Sequence, residues 1–437
     1  MRSRVMHATI GALSAVAMTV ALAAPASAQG IEPIPTVADQ PAATLLLPYF
    51  EVDLANPAGA NTYFTINNAS GTAVLAHVTI WSAMHVPVYT FDVYLTGYDA
   101  QQVDMRDVLS GVLPQTASFG QDPGDAISPQ GPSSQDINFA SCSGGSLPPA
   151  ALPQATIDHI RNSLTGAPSA QASGMCATIP DGTRVARGYV TVDTVNSCSL
   201  LTPGDPGYFG PGGTGVATNQ NVLWGDAIST NHLGGLDASD GSPLVHIRAD
   251  AADPKTSVPG NYTFYGRLVN WSAADNREPL STTFLVRYVL GAAFSKTDVT
   301  VWRDAKIKQN FFPCAGKPTW YPLGLTQLVF FDEQEHPAGL FTNTSFSPVP
   351  PVNTATFPLG TQRVAVGGPE LPTPFNFGWM YLNLATAVAG ANGPADFGSA
   401  QAWVEVRQKG SGKFSVGYPA TMYDSAKERT LSFLPIF

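Results

Sequence analysis

The chain has 437 residues, a net charge of −10, only 12 % charged residues, and 41 Gly with 37 Pro. An acidic chain without a basic run has little to neutralise phosphates or hold an anionic lipid surface, which argues against nucleic acid as a partner. Gly and Pro at this density favour a loop-rich β protein over helices, and the length suggests two or three domains.

The N-terminus carries an address. Arg2 and Arg4 precede an apolar, Ala-rich run from Ala8 to Ala24, and Ala26-Ser27-Ala28 supplies the small residues a signal peptidase needs. Residues 1–28 read as a secretory signal cut after Ala28, and Gln29 in place of Cys leaves no lipid anchor there. Removing these 28 residues from 437 leaves 409, and losing Arg2 and Arg4 takes the net charge from −10 to −12. The expected location is the periplasm or the cell exterior. No later stretch reaches eighteen consecutive apolar residues, so no transmembrane segment is expected in the mature chain.

After an N-terminal tail (29–42) the apolar pattern has period two. Leu46, Pro48, Phe50 and Val52 alternate, as do Thr62, Phe64 and Ile66, then Val190 with Val192 and Val404 with Val406. Turn-forming clusters such as "DLANPAGAN" and "NNASGT" bound these runs, which predicts half-buried antiparallel strands. "TINNASGTAVLAHVTIW" reads as a hairpin. Residues 115–183 break the pattern and read as a loop-rich insertion with one short helix at 153–166, where Ile157, Ile160 and Leu164 share a face and Gly166 ends it.

Cys142, Cys176, Cys198 and Cys314 show no C-x-x-C spacing, so in an oxidising compartment they predict two disulfides. Three connectivities are open. Cys142 and Cys176 lie in the same irregular segment, which favours that pair and leaves Cys198 with Cys314.

The chain nearly repeats itself. "HVTIW" (77–81) returns as "DVTVW" (298–302), and Thr62-Tyr63-Phe64 stands ahead of the first as Thr282-Thr283-Phe284 stands ahead of the second. "LLLPYFEVDLANP" (45–57) has a weaker counterpart in "PLVHIRADAADP" (243–254), "RGYVTVD" (187–193) in "QAWVEVR" (401–407), and "VLWGDA" (222–227) in "FSVGYPA" (414–420). Matches in the same order predict an all-β chain of two tandem antiparallel β-sandwich (Ig-like) modules, 43–242 with the insertion 115–183, and 243–437.

The strings "TLLLPYFEVDL" (44–54), "LAHVTIW" (75–81), "DNREPL" (275–280), "TQRVAVGG" (361–368) and "LPTPFNFGWMYLNL" (371–384) resemble a family of exported bacterial proteins with no assigned function. The resemblance spans both halves and implies a secreted, two-part β protein. It carries over no catalytic or binding residue.

Catalytic signatures are missing. G-x-S-x-G and H-E-x-x-H do not occur, and His77, His85, His159, His232, His246 and His336 are scattered. No metal site is assigned. Structural calcium is the one cofactor the acidic turns could hold, at Asp237 and Asp240 or at Asp122 and Asp125, although Asp and Gly favour turns without any metal. Asp275, Asn276, Arg277 and Glu278 form a compact polar group that reads as a hairpin tip stapled by an ion pair, or as a ligand anchor.

If Val78 and Ile80 face a core, Trp81 starts on the opposite face, and so does Trp302 opposite Val299 and Val301. Such rings, with Trp379, could form an aromatic platform, or another part of the chain could cover them. The expectation is an exported, non-enzymatic structural or adhesive protein. The alternatives are a carbohydrate- or peptide-binding module using Trp81, Trp302 or Trp379 toward a surface glycan or protein, and a secreted hydrolase whose site comes from distant residues.

Overall fold

The computed structural model describes residues 40–114, 151–231, 238–291, 296–305, 308–323, 327–339, 357–384, 401–410 and 414–425. Residues 1–28, nearly all of the tail, Cys142, Asp122, Asp125, His232 and Asp237 lie outside the described residues.

The alternating runs of the first half form β1 (Thr44–Asp53), β2 (Asn61–Asn68), β3 (Val74–Ser82), β4 (Pro87–Leu95) and β5 (Ala100–Asp104). Helices α1 (Met105–Leu109) and α2 (Gln154–Thr165) come next, then β6 (Val185–Val195), β7 (Leu223–Trp224), β8 (Asp226–Asn231), β9 (Ala238–Pro243) and β10 (Val245–Ile247). They build two antiparallel sheets, ordered β10-β1-β6-β3-β4 and β5-β2-β8-β9, with β7 also beside β2. The second half contributes β11 (Ser281–Val289), β12 (Lys296–Arg303), β13 (Gln327–Phe331), β14 (Pro337–Gly339), β15 (Thr361–Ala365), β16 (Phe377–Asn383), β17 (Ala402–Gly410), β18 (Phe414–Pro419) and β19 (Thr421–Ser425). Its sheets run β15-β12-β17-β18 and β14-β13-β16-β11-β19.

The all-β expectation holds, and period two explains it. Val78, Ile80, Val190 and Val192 point inward and join Phe64, Ile66 and Val103 of the other sheet in one core. Val299, Val301, Val404 and Val406 do the same with Phe284, Val286, Met380 and Leu382. Pro48 cannot donate to a ladder, and the β1–β6 register shifts between Leu47 and Phe50. The predicted helix is α2, closed by Gly166 at φ 80°, where a Cβ would lie 2.5 Å from the Pro180 nitrogen.

The repeat reappears as register. Val78, Ile80 and Trp81 lie opposite Val192, Val190 and Tyr189, while Val299, Val301 and Trp302 lie opposite Val406, Val404 and Trp403. Phe64 is flanked by Val103 and Ala227, as Phe284 is by Leu382 and Met422. In chain order β2, β3, β4, β5, β6 and β8 occupy the places of β11, β12, β15, β16, β17 and β19.

Other expectations fail. β2 and β3 are not a hairpin but enter different sheets. The Asn68 amide turns the chain between them, donating to the Thr72 and Thr96 carbonyls at 2.7 and 2.8 Å. The boundary at 243 is also displaced, because β10 pairs with β1 and so completes a sheet of the first half. β1 therefore has no counterpart at 243–254; its place beside β6 is taken in the second half by β18 beside β17. "FSVGYPA" forms that β18, whereas "VLWGDA" leads into β8, so these two strings are not equivalent. The described residues all fall within one compact unit.

Candidate functional site

Trp81 and Trp302 do not form a platform. Each is 1 % exposed, and both belong to an aromatic cluster with Tyr189, Phe264, Tyr265 and Trp403. Trp81 stacks on Tyr189 at 5.6 Å, and Tyr189 meets Trp302 edge-on at 5.8 Å. The faces carrying the repeated Trp are thus the faces on which the halves join. Trp81 Nε1 also donates to Thr191 Oγ1 at 2.9 Å, which satisfies its polar edge.

Polar groups reinforce the junction. Arg363 on β15 pairs with Glu51 on β1, and Thr361 Oγ1 donates to the Pro48 carbonyl at 2.5 Å. Buried Arg267 pairs with buried Asp304 and lies 5.9 Å from the centre of the Trp81 ring. His85, in the β3–β4 turn, shares a 2.8 Å hydrogen bond with the Tyr189 hydroxyl and sits edge-on to Trp302 and Trp320. Burial, and then the Arg267 charge, hold its imidazole well below the usual range. Gly360 gives this ring its room, since a Cβ there would lie 2.1 Å from His85 Nε2.

The "DNREPL" group is not a hairpin tip. Asp275 and Arg277 are 0 % exposed and Asn276 is 3 % exposed. Arg277 Nε donates to Thr44 Oγ1, which donates to Asp193, and the guanidinium also reaches the Asp275 and Thr218 carbonyls at 2.8 and 3.1 Å. Tyr208 and Tyr265 donate to the other Asp193 oxygen at 2.7 and 3.0 Å. This network ties segment 249–280 to the outer face of β6. Every lone pair so occupied is one fewer for a ligand.

Two dyads resemble parts of a catalytic triad. His77 Nδ1 meets Asp92 at 2.6 Å with both residues at most 1 % exposed, and His159 Nδ1 meets Ser169 Oγ at 2.6 Å with Ser169 at 0 %. The first has no hydroxyl bonded to the histidine, and the second has a backbone carbonyl, Val88, where a triad has its carboxylate. Among the described residues no three His, Cys, Asp or Glu side chains group as metal ligands. Asp240 lies on β9 opposite Ser229, in a strand rather than a turn.

The disulfide pairing needs correction. Cys176 is bonded to Cys314, with the Cα atoms 5.0 Å apart, so neither Cys142–Cys176 nor Cys198–Cys314 forms. The cause is a two-way backbone bridge between Cys176 and Phe312, both bonds 2.9 Å, which lays the loop of the second half along the insertion. Cys198 is itself disulfide-bonded.

Trp379 has a different setting. On β16, Met380 and Leu382 face the core, so Phe377, Trp379 and Tyr381 form a row on the opposite face. Phe377 is 46 % exposed, and Trp379 and Tyr381 are half-buried. Trp379 stacks on its cross-strand partner Phe331 at 3.9 Å and 8°, which fixes its ring at little further entropic cost. On the other side, Val289, Arg287 and Leu285 of β11 pair with Phe377, Trp379 and Tyr381.

The first half provides an internal comparison. The pair Arg287–Trp379 corresponds to Asn67–Ala100, and Leu285–Tyr381 to Thr65–Gln102. The place of Phe377 falls to Tyr98, in the turn before β5. Among the described residues Phe331 has no equivalent, because β13 and β14 extend the sheet beyond β16 in the second half and no described strand lies beyond β5 in the first. The strand geometry is therefore compatible with Ala100 and Gln102 at the places of Trp379 and Tyr381, while the place of Phe377 carries an exposed aromatic in both halves. The alternation in "FNFGWMYLNL" was the signal available for Phe377 and Tyr381; Phe331 and Arg287 join them only through strand pairing.

No family model, curated protein or solved structure matches the chain.

Proposed function

We propose that this is an exported, non-enzymatic adhesive protein built from one β-sandwich module used twice, and that its contact surface is the aromatic face of β16. The carrying observation is the row Phe377, Trp379 and Tyr381 on the outward face of β16, with Trp379 and Tyr381 standing where the first half has Ala100 and Gln102. Exposed aromatic patches of this kind mark interaction sites, because they expose apolar area that folding alone would bury. Support for a non-enzymatic role comes from the reactive-looking groups His77, Asp92 and Ser169, which are enclosed beyond the reach of a substrate. Export rests on the leader at residues 1–28 and on the resemblance to exported proteins.

Two measurements test this. N-terminal sequencing of the exported protein should begin at Gln29; an intact Met1 in the mature fraction defeats the export claim. Purified mature protein should be retained on polysaccharide- or cell-coated surfaces, and Phe377→Ser with Trp379→Ser should release it without changing the thermal midpoint by more than a few degrees. Equal retention of the variant would remove the face from the account.

A further inference from the structure

We propose that the junction between the two halves is an acid-sensitive latch, and that protonation of His85 loosens it. The turn that carries His85 is fixed on both sides. Within the first half, Ser82 Oγ accepts the Met84 and Val86 amides at 3.2 Å each. Across the junction, the Gly360 and Thr361 amides donate to the Ala83 carbonyl at 2.9 and 3.3 Å. His85 has a left-handed φ of 62° and is 1 % exposed. Tyr189, Trp302 and Trp320 stand around its ring at 5.3, 6.0 and 5.8 Å, so the ring has no route to water while the turn stays in place.

The hydrogen bonds suit a neutral ring. Arg267 donates to the Tyr189 oxygen at 3.5 Å, which leaves the Tyr189 hydrogen for His85 Nδ1 at 2.8 Å. A proton on Nδ1 would reverse the second bond and set a cation beside Arg267. Burial disfavours the charged ring most, followed by the Arg267 charge; the Arg303 backbone favours it and the Arg303 side chain opposes it. The carboxylate of this network, Asp304, is taken by Arg267. Aromatic faces attract a cation, but less than it costs to enclose a charge without a counter-ion.

The closed junction therefore binds the His85 proton more weakly than the open one. Its stabilisation is complete above about pH 6.5 and declines as pH falls below that, raising the opening equilibrium by up to about tenfold per pH unit. Asp275, raised by burial, acts in the opposite sense. Glu51 is lowered, because Arg363 and Arg407 outweigh its burial, so its pair with Arg363 persists at pH 5.

Amide hydrogen exchange of the protein at pH 7 and pH 5, corrected for the intrinsic pH dependence of exchange, tests the latch. Segments 187–192 and 298–304 should open about tenfold more at pH 5, while β16 in the core of the second half should not change. His85→Asn suits the left-handed backbone, cannot be protonated, and should remove the effect. His159→Asn should leave it, although burial lowers that imidazole too. Should His85→Asn not fold, exchange of the His85 Cε1 hydrogen in wild type reports its titration directly, with a midpoint expected below about 6.5. No added opening at pH 5, a tighter junction there, opening that His85→Asn retains, or a midpoint at or above that value overturns the proposal.

Discussion

Asp275 shows how one buried side chain reports on this interior. Its Oδ2 accepts the Tyr265 amide at 2.7 Å, and the side chain is fully enclosed. Burial raises its pKa from 3.8 to about 6, against the opposing pull of Thr263, Arg277 and the Tyr265 amide. The folded form thus holds its proton more tightly than the unfolded form. The resulting stabilisation is complete below about pH 4, is lost as pH rises towards 6, and is absent above that. A shift of this size corresponds to about 3 kcal/mol. Asp275→Asn should flatten stability between pH 4 and 6 relative to wild type, as read from urea midpoints at each pH. A variant whose pH profile runs parallel to wild type would show that Asp275 is ionised throughout. The polar string 275–278 was visible in the sequence, but its burial was not, because Asp193, its distant partner through Thr44 and Arg277, is given only by the fold.

At the scale of strands, what was legible followed from the period of two. The inward valines of β3, β6, β12 and β17 could be read directly, and so could their equivalence between halves. Val78 and Val299 are both 0 % exposed at equivalent places. Val78→Ala and Val299→Ala should each cost about 2 kcal/mol through lost burial and the cavity left behind. Chemical denaturation checks the pair; a near-zero cost at one site and a large cost at the other would break the equivalence. Connections were less legible than strands. A turn such as "NNASGT" serves a hairpin or a crossing between sheets equally well, and only the pairing of β2 with β5 and β8 decides it. The aromatic row on β16 was partly legible: Trp379 was identifiable as a candidate, whereas Phe331 reaches it from a strand 48 residues earlier.

For the whole molecule, the decisive feature is that the two halves meet through the faces bearing Trp81 and Trp302. Sequence alone left those rings either bare or covered, since alternation assigns a side but not what lies over it. The Cys176–Cys314 bond fastens the insertion of the first half to a loop of the second across 138 residues. Cys176→Ser with Cys314→Ser should lower stability by up to about 5 kcal/mol in the chain-entropy picture. An unchanged denaturation midpoint would mean that the junction already supplies that restraint. The junction encloses two of the three Trp candidates, and the face of β16 carries the third, which is the contact surface we propose.

Hydroxyl-radical footprinting of the protein, with and without a soluble polysaccharide that competes for its retention on a coated surface, tests that proposal most directly. The account predicts protection of Phe377, Trp379 and Tyr381 on ligand addition, with no change at exposed Trp224 or at Tyr63 on the corresponding face of the first half. Protection at Trp224 or Tyr63 in place of the β16 row would contradict it.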